Sequence, residues 1–444
     1  MTDPSNPESG APHRESGRLS GNRAWRHSDF RWFWLSRVFG QLAIDAQITA
    51  VGWQVYRLTG SQLDLGLVGL AQFAPVALLF ILTGLAADNL PRARIVLGCI
   101  SLQSLAAIAL FGVSATGAEN FSLIIGILVV LGIARAFQLP AQQAIVPNLV
   151  PAADVANAIA WAATGSQMAR VSGPTIAGLL IGFGGAGEAN EVLVYGLVVT
   201  LLVMATVCAA LIRSPVQVMS REPITIQNMF AGLRFILSRQ VIFGAIALDL
   251  FAVLFGGVLA LLPVYAKDIL EVGPQGFGVL RSTFTAGAFL GALTMTQLPI
   301  RRHAGIKLLA MVGMFGLGVV TFGLSELFWL SLGALFVMGL ADSMSVFIRQ
   351  NLVQIITPDE MRGRVSAVAS LFINASNELG EFESGITAHW WGTVPAVVFG
   401  GSVTFGIAVL FAATLPHLRR IDRLDAEDLV RRYRDMPTHG TGPP

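Results

Sequence analysis

Charged and amide side chains recur where the surrounding sequence is apolar. Asp45 lies inside the apolar stretch 33–56. Arg135 lies in Leu131-Gly-Ile-Ala-Arg135-Ala-Phe-Gln138, and Arg170 in Ala169-Arg170-Val-Ser-Gly173-Pro174-Thr-Ile-Ala177-Gly178. Asn374, Glu378, Glu381 and Gly385 advance by four, three and four, so on a helix they share one face. An ionised group in such a setting persists where it meets an opposite charge, a backbone carbonyl, water or a charged ligand. Burial favours a protonated carboxylate and a neighbouring cation favours the ionised one, so an acid held between the two is suited to carrying a proton. Asp45 is the first candidate carrier, and Glu378 and Glu381 rival it. These two glutamates can instead attract a cationic substrate, or form a buried polar interface with Asp342 or Arg349. Arg170 can bind an anionic group of a substrate or pair with an acid. Asn374 shares the cavity face, and Asp249 is a further acid within an apolar stretch.

The elements that must position these groups are membrane-spanning helices. Of 444 residues, 54% are hydrophobic and 13% charged, and apolar runs of about 20 residues recur along the chain. Twelve spans are expected, near 33–56, 65–87, 94–115, 121–140, 157–183, 191–212, 241–262, 276–298, 306–324, 328–350, 366–390 and 395–415. Short-loop arginines set their orientation. Arg92, Arg94, Arg213, Arg221, Arg234, Arg239, Arg301, Arg302, Lys307, Arg362 and Arg364 fall on one side, whereas the other side carries only Arg57, Lys267 and Arg281. Both termini are therefore expected in the cytoplasm.

The longest inter-span loop divides the spans six and six. The expected organisation is a tail at 1–32, a bundle at 33–212, a linker at 213–240, a bundle at 241–415 and a tail at 416–444. Within the linker, Ile226, Met229, Phe230, Leu233 and Leu237 recur at helical spacing, which predicts an amphipathic surface helix. A shift of 207 residues lays Gly173 on Gly380 and Gly178 on Gly385. A shift of 209 lays Gln54-Val-Tyr on Pro263-Val-Tyr. The halves thus read as a duplication. Cys99 and Cys208 lie in apolar spans and imply no disulfide framework.

Between the second and third spans runs Gly84-Leu-Ala-Ala-Asp88-Asn-Leu-Pro91-Arg92-Ala-Arg94. Gly84 and Asp88 are one helical turn apart. Gly84 admits a close neighbour, Asp88 can face the positive end of another helix, and Arg92 and Arg94 belong in the headgroup zone. This string resembles the loop 2–3 signature of the major facilitator superfamily, with Pro91 where Gly is usual. Leu131–Gln138 is similar to the signature of that superfamily's proton-driven members, in which the arginine acts on an acid of span 1. Here that acid is Asp45 and the arginine Arg135. Gly173-Pro174 with Gly178 resembles the kinked motif of its antiporters.

The resemblance implies an all-α membrane protein of two six-helix bundles that works by alternating access, with Gly84, Asp88, Arg92 and Arg94 as a conformational latch. Trp53-Gln-Val-Tyr-Arg-Leu-Thr-Gly60-Ser and Arg135…Pro151 are similar to a drug:proton antiporter-like branch containing the enterobactin exporter and macrolide exporters. The expected function is proton-coupled export of a small amphipathic compound, siderophore-like or drug-like, across a bacterial inner membrane. The expected partners are that small molecule, protons and the bilayer, with no nucleic acid, no cofactor and no metal, and a monomer as the working form. Another cargo or direction, such as lysophospholipid or metabolite uptake, and a non-transporting sensor or scaffold are the alternative readings. No Walker phosphate loop, metal-ligand cluster or nucleophile–base pair is present in the sequence, so an enzyme is not expected.

Overall fold

A computed structural model of the chain describes residues 23–183, 190–213, 226–297 and 302–422. These residues are helical, with no strand among them. The first group of helices is α1 (Ser28–Thr59), α2 (Gln62–Asn89), α3 (Arg92–Ala115), α4 (Phe121–Ile145), α5 (Val155–Gly182) and α6 (Glu191–Ala210). A connecting helix, α7 (Ile226–Ser238), follows. The second group comprises α8 (Gln240–Phe255), the short α9 (Leu262–Val264), α10 (Gly273–Gln297), α11 (Ala304–Gly323), α12 (Phe328–Ile356), α13 (Asp359–Trp391), α14 (Thr393–Thr414) and the terminal turn α15 (Pro416–Arg419).

The helix ends follow local chemistry. Gly60 closes α1 in the left-handed region at φ +62°, donating its N–H to the Tyr56 carbonyl at 2.9 Å. The Ser61 hydroxyl accepts from the Asp64 N–H at the start of α2, and Asn120 Oδ1 accepts from the Ser122 N–H at the start of α4. At 1.5 Å per residue the 24 residues of α3 run about 36 Å, enough to cross a hydrocarbon core of about 30 Å.

Among the described residues, eight helical segments are long and apolar enough to cross a membrane: those of α2, α3, α4, α6, α11, α12 and α14, and the segment Gln240–Ile269. The long helices that fall short are α1, α5, α10 and α13. These four carry Asp45, Arg170, Arg281 and the Glu378–Glu381 pair. Their polar residues lower the apolar content, and other helices cover them.

Packing runs through the two groups in the same pattern. In the first, α1 packs on α5 and α6, α2 on α4, and α3 on α4 and α6. In the second, α8 packs on α13 and α14, α10 on α12, and α11 on α12 and α14. The groups meet through α5 on α10 and α2 on α13. The repeated glycines sit at equivalent crossings. A Cβ on Gly173 would lie 2.9 Å from Asp45 Cβ of α1, and one on Gly380 would lie 3.2 Å from Leu254 Cα of α8. A Cβ on Gly178 would lie 2.8 Å from Gly278 Cα of α10, and one on Gly385 would lie 2.9 Å from Gly66 Cα of α2. The first glycine of each pair therefore lets its helix onto the first helix of its own group, and the second admits a helix of the other group.

Several expectations are revised. Helix α1 begins at Ser28, and the turn Ala24–Arg26 before it packs on α5 through Asn157 and Trp161. Span 7 is not one regular helix. It breaks at Gly256–Gly257, then continues as a 3-10 turn, α9 and a π turn at Tyr265–Ile269. The break brings Gly257 against the Gly380 backbone, where a Cβ would not fit. The linker helix α7 forms: among its described side chains Gly232 and Ile236 are buried toward α13 and α8 and the expected Leu233 packs beside them, Leu237 is 57% exposed, and the side chains of Ile226, Met229 and Phe230 lie outside the described ones. The chain after α15 is tied back onto α11: the Ala304 N–H and Gly305 N–H donate to the Asp422 and Ile421 carbonyls, each at 3.0 Å. Arg221 and Arg301 lie outside the described residues.

Candidate functional site

The carboxylates of Glu378 and Glu381 emerge from α13 over a bare patch of α2. A Cβ built on Gly69 would meet Glu381 Oε2 at 2.9 Å and Glu378 Oε2 at 3.4 Å. Both acids therefore lean on one glycine of the other helix group. Arg135 of α4 reaches the same place, with Nη1 3.6 Å from Glu378 Oε1. That separation is beyond hydrogen-bond reach, so the pair is a loose ion pair. The two side chains are 35% and 20% exposed, so neither is fully enclosed. Arg135 was expected to act on Asp45, and its charge does reach that acid; its ion-pair partner, however, is Glu378, contributed by the second group.

Asp45 instead accepts a hydrogen bond at 2.7 Å from Gln41 Nε2, one turn earlier on α1. Gly173 of α5 lies directly against it. The positive charges of Arg170, Arg281 and Arg135 all act on Asp45, and those of Arg281 and Arg135 also act on Glu381. Asp45, Glu378, Glu381, Arg135, Arg170 and Arg281 therefore form one electrostatic cluster, drawn from α1, α4, α5, α10 and α13.

Arg281 is counted above with the outer-side arginines although the expected span 276–298 contains it, and it lies within α10, which begins at Gly273. Its distance into an otherwise apolar run was the available signal. Gly69 was also missed; the pattern Gly66-Leu-Val-Gly69 marks a bare face on α2. Pro174 is buried within α5, which runs on without interruption. Proline lacks an N–H, so it leaves the Arg170 carbonyl without its usual helical donor. Thr285 Oγ1 of α10, whose proton points mainly to the Ser282 carbonyl at 2.9 Å, comes within 3.4 Å of the Arg170 carbonyl, and Thr175 Oγ1 donates to Ser282 Oγ at 2.6 Å. The proline thus opens a polar seam between the two groups.

Arg349 does not pair with the glutamates. It pairs with Asp249 of α8, and both residues are buried. Asp342 lies two turns before Arg349 on α12 and acts electrostatically with that pair. The side chains of Asn374, Gly84 and Asp88 lie outside the described ones. Gly84 and Asp88 fall in the last turns of α2, and Arg92 and Arg94 in the first turn of α3.

Further contacts between the groups gather where α1 passes into α2. Tyr56 donates its hydroxyl to Asp268, and Lys267 Nζ lies 5.2 Å from the centre of the Tyr56 ring. Trp53 stacks on Phe277 with centroids 6.0 Å apart, and Gln62 Nε2 reaches Thr393 Oγ1 at 3.5 Å. A cavity of about 20 Å³ beside Arg135, lined in part by Gln47, Gln72 and Gln103, holds no more than a water.

A family model described as transmembrane secretion effector matches residues 20–439. The chain belongs to that family of major facilitator transporters. The enterobactin exporter EntS of Shigella boydii serotype 18 is 26% identical over 429 residues, covering 92% of this chain and 97% of the exporter. The exporter of the same name from Escherichia coli O157:H7 matches to the same extent. Among solved structures, an inward-facing, occupied bacterial homologue of the human lysosomal transporter Spinster aligns with a TM-score of 0.69 at 15% identity, over 88% of this chain and 98% of that one. An inward-facing bacterial homologue of the iron transporter ferroportin aligns at 0.62 with 17% identity, over 86% and 98%. The structural matches establish a shared fold. The chain is a multi-pass membrane transporter and not an enzyme.

Proposed function

We propose that this transporter is a proton-coupled exporter of a small amphipathic compound, siderophore-like or drug-like, acting as a monomer in a bacterial inner membrane. In this reading twelve spans cross the bilayer, 33–212 and 241–415 are its two moving bundles, and both termini are cytoplasmic. Gly84, Asp88, Arg92 and Arg94 form the latch at the cytoplasmic face. Tyr56–Asp268 and Trp53–Phe277 then close the outer end, and the molecule faces inward.

The observation that carries the reading is the ion pair between Arg135 of α4 and Glu378 of α13, with Glu381 beside it. It joins the two bundles and is not fully enclosed. A proton on Glu378 removes one charge of the pair and so weakens a tie between the moving parts. Loss of that proton restores it. The 26% identity to exporters named for enterobactin supports outward transport.

Proton-linked flux in inside-out vesicles tests this, with a panel of siderophores and lipophilic drugs. The expected result is a compound that enters the vesicles and discharges an imposed proton gradient, with coupling abolished in Glu378→Gln and kept in Asp45→Asn. Coupling lost only in Asp45→Asn would move the proton to span 1. No coupling with any compound would sink the antiport reading.

A further inference from the structure

Arg37, Arg170 and Arg281 converge on one stretch of the wall between the bundles without an ion-pair partner among the described residues. Arg37 Nε of α1 donates to Ser166 Oγ of α5 at 2.8 Å. Arg170 lies one turn beyond Ser166, and its charge acts on Arg37. Across the seam, Thr285 touches the Arg170 carbonyl, and Arg281 is one turn before Thr285 on α10. The face of α5 that carries Arg170 also carries Ser166, Gly173 and Pro174, which contact α1 and α10. Arg170 therefore faces the space between α1 and α10, whereas Met168, 63% exposed, lies on another face. Asp45, the nearest acid on α1, is held by Gln41.

Clustering three guanidiniums in a membrane interior is unfavourable unless an anion offsets them. Counted with Arg135, four guanidiniums meet the three carboxylates of Asp45, Glu378 and Glu381, and a proton on any of these acids widens the excess of positive charge. Guanidinium groups match oxyanions through paired N–H donors, and their charge persists at any physiological pH. Building on the transport reading above, we propose that Arg37, Arg170 and Arg281 form a subsite for an anionic group of the cargo, a carboxylate, sulfonate or similar oxyanion. Glu378, Glu381 and Arg135 are left to the proton. The cargo class that fits is an amphipathic anion rather than a lipophilic cation.

Equilibrium binding tests this on the purified full chain in phosphatidylcholine nanodiscs, read by fluorescence anisotropy with carboxyfluorescein as the anionic probe and ethidium as the cationic one. The expected result is saturable carboxyfluorescein binding that Arg170→Gln and Arg281→Gln each weaken at least about tenfold. Arg170→Lys and Arg281→Lys should retain most of it, and ethidium binding should not fall in any variant. Unfolding temperatures near wild type certify the variants, and Arg281→Gln carries the test if Arg170→Gln does not fold. No saturable carboxyfluorescein binding to wild type, or equal weakening of both probes, overturns the proposal. Charge-selective binding without proton-linked flux would remove the export reading and leave the subsite standing. Proton-linked flux without charge selectivity would do the reverse.

Discussion

Asp249 and Arg349 are 5% and 2% exposed and paired across α8 and α12. Removing one member of such a pair leaves a charge that neither water nor an opposite charge offsets. Arg349→Met should therefore destabilise the protein by about 3–5 kcal/mol, and Asp249→Asn in the same chain should restore much of the loss. Thermal unfolding in detergent reads both; a single variant as stable as wild type would show that the pair does not hold the fold. The residue scale is also where sequence reasoning was least complete. Its list of intramembrane charges included Asp45, Arg135, Arg170, Glu378 and Glu381, because a charge in an apolar run is visible locally. The pairing of Arg135 with Glu378 was not visible, since the two lie on helices of different groups.

At the scale of elements, the crossings α5–α10 and α2–α13 hold the groups together through glycines. A Cβ on Gly178 or Gly385 would meet backbone atoms of the facing helix, which cannot swing aside as a long side chain can. Gly178→Ala and Gly385→Ala should each part the two groups at the end where α1 meets α2. Gln62→Cys with Thr393→Cys, in a background lacking Cys99 and Cys208, reports this through the rate of induced disulfide formation, because Gln62 and Thr393 touch there. Both glycine variants should slow it several-fold. Gly98→Ala, where a Cβ meets nothing within 4 Å, should not. Equal rates in all three would mean that these glycines do not set the closure. The repeat offset of 207 residues already pointed to these positions, but not to which helix each one faces.

At the scale of the whole molecule, the proposed orientation rests on the loop arginines. A fluorescent protein fused after residue 444 should fluoresce in intact bacterial cells, and alkaline phosphatase fused after Gly117, between α3 and α4, should be active. The opposite pair of results would invert the molecule and turn the closed end toward the cytoplasm. Loop charge alone was an imperfect guide to depth. Arg281 was counted with the loops, whereas α10 starts eight residues before it.

The sequence by itself determined the class, the helical segments, the internal repeat and the inventory of buried charges. It can do so because a helix satisfies its own backbone in lipid, so length and apolar content mark most spans, whereas α1, α5, α10 and α13 fall below that mark through their polar residues. The irregular path through Gly256–Gly257, the buried face of α7, the meeting of Arg135 with Glu378, and the placing of Arg37 and Arg170 across the α5–α10 seam from the helix of Arg281 were decided by the tertiary structure alone. Each depends on how helices far apart in the chain cross, and a crossing is set by packing between helices rather than by the period within any one of them.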